Sequence, residues 1–247
     1  GLGRYVQKLV DGLLAIDQKN QYFLFFTKDN IEEPRFKNNK AKKILLDAHW
    51  YSLKEQLIAA PIIKKAKVDL VHFPHFNVPF YYSGKYVVTI HDLIIDHFPD
   101  SRTTTLPVWQ YRFKLLAYKT ILSRAISRAQ KIIVPSNFVK TDLTGLYQAP
   151  PEKIKVIYEG YFLSADQPAA DISRLAISKP YLLYVGAAYP HKNLERLIRV
   201  FKKLNQPPKY QLVLVGKIDE FYQRLQKSIN NQDIIFTNLK FISSMIS

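Results

Sequence analysis

Residues 181–204 read YLLYVGAAYPHKNLERLIRVFKKL and combine a strand pattern, a glycine turn and a helix pattern. The apolar run ends at Val185-Gly186, a short loop carries Lys192, and an amphipathic helix follows. A glycine there lets the backbone approach a ligand, while a lysine and a helix N-terminus attract an anion. Residues 210–216, YQLVLVG, repeat the strand and its glycine. This pattern indicates a fold that holds a nucleotide diphosphate.

The first part of the chain has short apolar runs separated by helical patterns. The runs cover residues 22–27, 44–47, 68–73, 86–90, 132–135 and 156–158, and helices are predicted over 5–16, 53–65, 104–129 and 137–147. Strands that are apolar on both faces and alternate with helices predict an α/β fold with parallel sheets. Pro61 predicts a break or restart of the second helix. The opening GLGRY is predicted to be a loop.

A change of composition divides the chain. Residues 159–180 have little periodicity and contain two prolines, which is typical of a linker. The α/β pattern then restarts, with strands predicted at 181–185, 211–215 and 234–237 and helices at 193–204 and near 220–229. We expect one domain over residues 1–160, a linker over 161–179 and a second domain over 180–247. The first domain is expected to lack its first strand and the second to be incomplete, so truncation at both ends is expected.

Composition excludes several classes of protein. The 247 residues are 47% hydrophobic and 23% charged, which is typical of a globular protein. No apolar run approaches the roughly 20 residues that a membrane span needs. The absence of cysteine excludes disulfides and thiolate chemistry, and the cytoplasm is the default location. A net charge of +16 predicts an anionic partner: nucleic acid, acidic lipid or a phosphorylated small molecule.

The positive charge is concentrated in one segment. Residues 101–141 contain no acidic residue, but they contain Arg102, Arg112, Lys114, Lys119, Arg124, Arg128, Lys131 and Lys140. Aromatic residues interleave with these cations at Trp109, Tyr111, Phe113 and Tyr118. One interpretation is a helix that faces an anionic membrane surface through Arg112, Lys114, Arg124 and Arg128. The other places the aromatic residues in the core and the cations in water, and the pattern favours it narrowly.

Histidines follow two of the predicted strands. His91-Asp92 comes after one, and His72 and His75 lie at the end of another. Ligands bind at the carboxyl ends of strands in parallel sheets, and histidine can move a proton near neutral pH. His91 fits equally well a contact with substrate or a capping role with Asp92 as its partner. His72 and His75 fit the lining of a loop better than a metal site, because no further ligands follow at a suitable spacing.

Six segments occur in the order found in retaining glycosyltransferases of the GT-B fold. They are GLGRYVQKLVDGL (1–13), VDLVHFPHFNVPF (68–80), VVTIHDLIIDHFP (87–99), KIIVPSNFVKTDL (131–143), KVIYEG (155–160) and YLLYVGAAYPHKNLERLIRVF (181–201). The chain most resembles the family 4 enzymes and, within them, the mannosyltransferase-like members. The resemblance covers nearly the whole chain. It implies a GT-B fold with two Rossmann-like domains and parallel sheets, the second domain incomplete.

The resemblance also implies roles for single residues. In such enzymes the first glycine loop, here Gly1 and Gly3, lies near the donor diphosphate. The strand-end histidine, here His91, lies beside the transferred sugar and the acceptor and is the expected catalytic residue. The glycine and the lysine of the second-domain loop, here Gly186 and Lys192, would approach the nucleotide diphosphate.

The implied reaction transfers a sugar from a nucleotide-sugar to a glycan or lipid-linked acceptor with retention at the anomeric carbon. His72, His75 and Asp92 are expected on the acceptor side. No metal and no other cofactor is expected, because Lys192 and helix dipoles would stabilise the departing diphosphate. The parent enzyme would build a polysaccharide or glycolipid in the cytoplasm, at the inner face of the plasma membrane.

The chain departs from the family pattern in two places. Many relatives have an arginine near the second-domain lysine, where this chain has residues 187–191, AAYPH. The family's pair of glutamates separated by seven residues is expected after Thr237 and is absent. The chain by itself is therefore expected to be an inactive fragment.

Three other functions fit the sequence less well. A basic nucleic-acid-binding protein would explain the positive charge, but the sequence contains no recognised nucleic-acid-binding motif. A non-catalytic scaffold derived from such an enzyme would explain the missing glutamates. A relative that epimerises or phosphorolyses a sugar would share the fold.

Overall fold

The computed structural model describes residues 1–32, 41–49, 51–99, 104, 106–161, 177–229 and 232–238. The chain divides into two compact units, Gly1–His97 with Pro107–Gly160 and Phe98–Leu106 with Tyr161–Ser247. Arg102, most of the expected linker and residues 239–247 lie outside the described residues.

The first unit alternates strands and helices. Its elements are α1 (Leu2–Ile16), β1 (Tyr22–Phe26), β2 (Ala41–Leu45), α2 (Leu53–Lys65), β3 (Val71–Phe73), β4 (Tyr86–Thr89), α3 (Ile94–His97), α4 (Val108–Arg128), β5 (Lys131–Val134), α5 (Asn137–Tyr147) and β6 (Ile154–Val156). β1 pairs with β2, and β3, β4, β5 and β6 form a second sheet in that order. All of these pairs are parallel, as the alternation of apolar runs and helices predicted.

The core of this unit lies around the two central strands. Val88 of β4 and Ile132 of β5 are completely buried, and so are Leu122 of α4 and Leu143 of α5. These side chains belong to one continuous cluster that joins the sheet to its helices. The apolar runs predicted as strands therefore bury both of their faces where helices cover the sheet.

The second unit repeats the pattern on a smaller scale. Its elements are β7 (Tyr181–Val185), α6 (Leu194–Leu204), β8 (Gln211–Gly216), α7 (Glu220–Lys227) and β9 (Ile234–Asn238), with the strands in parallel in the order β7-β8-β9. Every residue of the central strand β8 is buried. On β7, Leu182 and Leu183 are 53% and 58% exposed. Because neighbouring residues point to opposite faces of a strand, both faces of β7 carry an exposed leucine, although Tyr184 packs against the core of this unit.

The predicted break at Pro61 is wrong, because α2 continues through it. Proline removes one intrahelical hydrogen bond, and the carbonyl that loses its donor belongs to Leu57. Leu57 is exposed, whereas Ala59 and Ile63 are buried on the other side of the helix. Water can therefore replace the lost donor while the buried side chains keep the helix in place.

The predicted opening loop is also wrong. α1 begins at Leu2, and the Tyr5 amide donates to the Gly1 carbonyl at 3.1 Å. The apolar residues that follow at helical spacing extend the helix into the first turn, despite two glycines.

The short helix α3 is anchored to α4 and α5 by one carboxylate. The Tyr118 hydroxyl donates to Asp96 Oδ2 at 2.6 Å, and the Tyr147 hydroxyl donates to Asp96 Oδ1 at 2.8 Å. Burial and, after it, the hydrogen bond to Asp96 raise the pKa of both tyrosines. This anchor holds the chain directly after the end of β4.

We expect Tyr147→Phe to lower the free energy of unfolding by about 1–2 kcal/mol at pH 7, because Asp96 loses a donor. A tyrosine whose pKa is raised by folding stabilises below its unfolded pKa of about 10, and this contribution is lost as the pH rises further. The difference in free energy of unfolding between the wild type and Tyr147→Phe should therefore shrink above about pH 10. Urea denaturation at several pH values measures this difference.

The matched control is Tyr158→Phe, since Tyr158 is exposed and its hydroxyl meets only Asn137 among the described residues. Equal losses in the two variants would contradict the anchoring role of Asp96.

Candidate active site

The carboxyl ends of β3 and β4 meet at one edge of the four-stranded sheet. Phe73 of β3 pairs with Val88 of β4 in parallel register, so the residues that follow both strands emerge side by side. This is the edge at which parallel α/β sheets bind ligands. The structure brings the predicted residues His72, His75 and His91 together there.

His91 is held by contacts on both ring nitrogens. Its Nε2 lies 3.1 Å from the carbonyl oxygen of Pro74, and its Nδ1 lies 3.1 Å from Glu159 Oε1. The Tyr5 ring meets the imidazole edge-on, with 4.7 Å between ring centroids. Asp92 is not its hydrogen-bond partner, so the predicted pairing within the His91-Asp92 turn is not the one observed.

These partners determine what His91 can do in this geometry. The Pro74 carbonyl can only accept a hydrogen bond, so Nε2 is the donor in that contact. The second ring nitrogen, Nδ1, is occupied by Glu159. To take a proton from an acceptor hydroxyl, His91 must first release Glu159 or Pro74. Its catalytic role stays a prediction.

His72 belongs to a hydrogen-bonded chain beneath His91. Its Nε2 lies 2.8 Å from the hydroxyl of Thr89, which in turn lies 3.3 Å from the hydroxyl of Tyr5. Burial, and to a smaller extent the nearby His91, lower the pKa of His72. His72 is therefore neutral at pH 7. Through Thr89, the chain of hydrogen bonds links β3, the end of β4 and α1.

His75 and Asp92 lie on the outer side of this edge. The Tyr51 hydroxyl lies 3.2 Å from His75 Nδ1. Burial and then His91 lower the pKa of His75, whereas Asp92 raises it. The Asp92 carboxylate also accepts from the Ile94 amide at 3.1 Å and so caps the turn into α3. Their assignment to the acceptor side remains a prediction.

Gly1 and Gly3 lie at the end of α1 that also holds Tyr5 against His91. An added Cβ at either glycine would meet nothing within 4 Å. Packing in this unit therefore does not require glycine at these two positions, and their predicted approach to a diphosphate stays a prediction.

In the second unit, Gly186 directly follows β7. Its amide donates to the Val215 carbonyl at 2.9 Å, and its carbonyl accepts from the Tyr222 hydroxyl at 2.8 Å. A Cβ here would lie 2.8 Å from the hydroxyl oxygen of Tyr184. The position therefore requires glycine for the turn that leaves the strand.

Lys192 lies at the other end of the same loop. A single 3₁₀ turn, Pro190–Lys192, precedes α6, and Asn193 links the two with a left-handed φ of 53°. The Lys192 side chain is exposed and has no hydrogen bond or ion pair with the residues that the structure describes. A cation thus stands next to the N-terminus of α6, an arrangement that suits an anion.

The described residues contain no group of three or more His, Cys, Asp or Glu side chains that could hold a metal ion. The expected metal-independent stabilisation of the diphosphate stays a prediction.

The predicted membrane-facing cations lie on different sides of α4. Arg112, Lys114 and Arg128 are exposed. The Arg124 guanidinium instead lies 4.3 Å from the centre of the Phe80 ring, and its Nε donates to the Phe80 carbonyl at 2.7 Å. The Arg124 side chain packs against the protein, so its prediction as a membrane-facing cation is wrong. Of the aromatic residues, Tyr118 is buried, as the core interpretation predicts, whereas Trp109 and Phe113 are 70% and 71% exposed. The membrane-facing interpretation stays a prediction.

Sequence reasoning missed Tyr51, Glu55, Asn77 and Glu159. Glu55 could have been found, because Ser52-x-x-Glu55 is a capping-box pattern before an apolar helix. Asn77 and Glu159 carry no such local signal, since their partners are distant in sequence.

The two parallel α/β units are those of a glycosyltransferase of the GT-B fold, as the following comparisons show. The chain belongs to Glycosyltransferase Family 4, whose sequence model matches residues 1–164. The model of Glycosyl transferases group 1 matches residues 169–241.

Two relatives are mannosyltransferases. The O-antigen chain mannosyltransferase RfbU of Salmonella typhimurium is 24% identical over 89% of this chain and 57% of its own length. The O-antigen chain mannosyltransferase B of Escherichia coli is 23% identical over 87% of this chain and 60% of its own length. The chain thus spans less than two thirds of the length of either relative.

A solved structure supports the fold assignment. The apo form of the lipopolysaccharide outer core galactosyltransferase WaaB superposes with a TM-score of 0.53 at 14% identity, over 96% of this chain and 64% of that one. None of the described helices has the length and apolar composition of a membrane span.

Gly216 is closely packed against the turn at Gly186. A Cβ at Gly216 would overlap the carbonyl oxygen of Gly186 and the ring of the buried Tyr222. We expect Gly216→Ala to lower the free energy of unfolding by about 1–3 kcal/mol, as overpacked cores do. Chemical denaturation followed by circular dichroism measures the change. In the control Gly12→Ala the added methyl meets nothing within 4 Å inside α1, so a gain of about 0.5–1 kcal/mol is expected. Equal stability of the two variants would refute the tight contact.

Proposed function

We propose that this chain is part of an enzyme that transfers a sugar from a nucleotide-sugar to a hydroxyl of a glycan or lipid-linked acceptor, with retention at the anomeric carbon. The observation that carries the proposal is the group of His72, His75 and His91 at the carboxyl ends of β3 and β4 in a member of a glycosyltransferase family. Mannose is the first sugar to test, because the two relatives reported above are named as mannosyltransferases.

On the donor side, the second unit supplies positive charge without a metal. The negative charge of the departing diphosphate would be stabilised by the Lys192 ammonium and by the amide groups at the N-terminus of α6. The Gly186 turn lets the backbone approach the phosphates because no side chain projects from it.

On the acceptor side, the hydrogen-bond chain through His72 and Thr89 holds the end of β4 rigid beneath His91. In its neutral form, with Nδ1 unprotonated and turned away from Glu159, His91 would orient the acceptor hydroxyl and accept its proton at Nδ1. The Tyr5 ring limits the directions in which the imidazole can turn.

His91→Ala should lower kcat by about 100-fold or more, because a positioned acid-base group contributes at least that much. The measurement is transfer of labelled sugar from a panel of nucleotide-sugars to lipid-linked glycans in a membrane extract. It is made with this polypeptide and with any longer product of the same gene.

The control is His97→Ala. His97 bonds to Asp142 across α3 and α5 and is exposed, so its loss should leave turnover nearly unchanged. Equal activity of the two variants would refute the role of His91. Failure of every nucleotide-sugar with the longest product would refute the transferase proposal, and an inverted anomeric centre in the product would refute retention.

We also propose that the enzyme works at the inner face of the plasma membrane and binds anionic lipid through α4. Trp109, Phe113 and Leu116 are exposed at i, i+4 and i+7 spacing, which places them on one face of the helix. Arg112 lies beside this face, in a segment without acidic residues. Exposed aromatic and aliphatic side chains next to cations suit the headgroup region of an acidic bilayer.

Arg112→Gln with Lys114→Gln should weaken binding to phosphatidylserine-containing vesicles by about fivefold per cation, since each contributes about 1 kcal/mol near such a surface. Sedimentation with the vesicles measures it. Lys64→Gln with Lys67→Gln removes the same charge from the end of α2 and should change binding less. Equal effects would show nonspecific attraction by the net charge and contradict a docking face on α4.

A further inference from the structure

Tyr51 occupies an unusual position next to the histidine group. It is 60% exposed, and its backbone is left-handed with φ 60°, which bulky residues rarely adopt. Its amide donates to Glu55 Oε2 at 2.7 Å, so the carboxylate holds the strained turn. Ser52 meanwhile caps α2 through the Glu55 amide at 3.0 Å. Glu55 therefore supports the exposed ring instead of closing a capping box.

The same carboxylate is fixed from a second direction. Asn77 Nδ2 donates to Glu55 Oε2 at 2.7 Å. Asn77 is itself held, because its Oδ1 lies 3.5 Å from Gln56 Nε2 and Gln56 Oε1 accepts from the Phe80 amide at 2.8 Å. Burial raises the pKa of Glu55, and the bonds from Asn77 and Tyr51 oppose that shift. Oε1 of Glu55 has no hydrogen-bond partner within the described part of the chain and is left to accept from a ligand.

The Tyr51 ring is also fixed by aromatic contacts. It meets His75 edge-on, with 5.9 Å between centroids, and Phe76 at 6.1 Å. Burial around its hydroxyl, then the charges of Glu55 and Asp92, raise the pKa of Tyr51 to about 12. The hydroxyl thus stays protonated while most of the ring remains open to solvent.

This cluster is continuous with the candidate active site. His75, which contacts the Tyr51 hydroxyl, directly follows Pro74, whose carbonyl binds His91. Asp92, whose charge acts on both Tyr51 and His75, directly follows His91. A ligand that lies against Tyr51 is therefore next to the predicted reaction centre.

We propose that Tyr51, Glu55 and Asn77 form a subsite for one neutral sugar ring of the acceptor glycan. The C–H groups of a sugar face pack against an aromatic ring, whose face is negative. Its hydroxyls donate to a carboxylate, and such charge-assisted bonds are stronger than neutral ones. The nearby charges of Glu55 and Asp92 repel phosphate, so the subsite fits the acceptor and not the donor diphosphate. The inference rests on the proposed function, because only a sugar transferase binds an acceptor glycan.

Saturation-transfer NMR tests the subsite without requiring catalysis. The probes are methyl α-mannoside, mannobiose, N-acetylglucosamine and N,N′-diacetylchitobiose at millimolar concentration. At least one should receive saturation from the wild-type chain. Tyr51→Ala and Glu55→Gln should each reduce that signal about tenfold, whereas Tyr51→Phe should keep it because the ring remains.

The matched control is Tyr81→Ala, since Tyr81 is also an exposed tyrosine but lies beside Gly84, before the start of β4. Its signal should equal that of the wild type, and the melting temperature of each variant checks folding. Absence of saturation for all probes with the wild type, or equal signals in all variants, overturns the subsite.

A kinetic comparison separates this inference from the proposed function. If transfer occurs, Tyr51→Ala and Glu55→Gln should raise KM for the acceptor about tenfold and leave KM for the nucleotide-sugar unchanged. Active enzyme with unchanged acceptor KM in both variants overturns the subsite and leaves the function standing. Saturation that depends on Tyr51, together with failure of the longest product of the gene to transfer any sugar, supports the sugar subsite and refutes the proposed function.

Discussion

The hydrogen bond between His91 Nε2 and the Pro74 carbonyl joins the chain segments that leave two neighbouring parallel strands. Their connection places His75 next to His91 and so brings Tyr51 to the same edge of the sheet. The buried Thr89 holds the strand end from below through His72. The placement of His75 and Tyr51 beside His91 depends on this link between the two turns.

Charge divides the possible ligands between the two units. Around Tyr51, the carboxylates of Glu55 and Asp92 favour a hydroxylated, uncharged ligand. At the end of β7, the exposed Lys192 and the N-terminus of α6 favour an anion. A sugar transferase needs both kinds of site, since its donor carries a diphosphate and its acceptor offers a hydroxyl. The structure of each unit is consistent with one of these tasks.

Close packing produces the glycine turn of the second unit. The Tyr222 hydroxyl donates to the Gly186 carbonyl, and Gly216 leaves room for that ring. Asp219 caps α7 by accepting from the Phe221 and Tyr222 amides at 3.1 Å each. This cap fixes the backbone position of Tyr222. A buried tyrosine therefore shapes a turn to which it is not adjacent in sequence. Burial raises the pKa of Tyr222 to about 12, so the hydroxyl remains a donor at neutral pH.

Most of the fold could be predicted from the sequence. At the candidate site the sequence indicated the three histidines and Asp92, but not the residues that contact them. Alternating apolar runs and helical patterns indicated parallel α/β units, and α5 was predicted at its observed bounds, 137–147. Histidines after two strands indicated the edge where a site would form. These features depend on local periodicity and on a general property of parallel sheets, and a single sequence contains both.

Tertiary structure alone decided the partners at that edge. Glu159 lies 68 residues from His91 in sequence, and Asn77 lies 22 residues from Glu55, so no local pattern links them. Packing against Phe80 turned Arg124 inward, and solvent beside Leu57 let α2 continue through Pro61. The sequence by itself determined where strands, helices and reactive side chains occur along the chain. Tertiary packing decided which side chains contact each other. The free energy of a contact between distant segments is gained only when the fold brings those segments together, so a local sequence pattern does not reveal it.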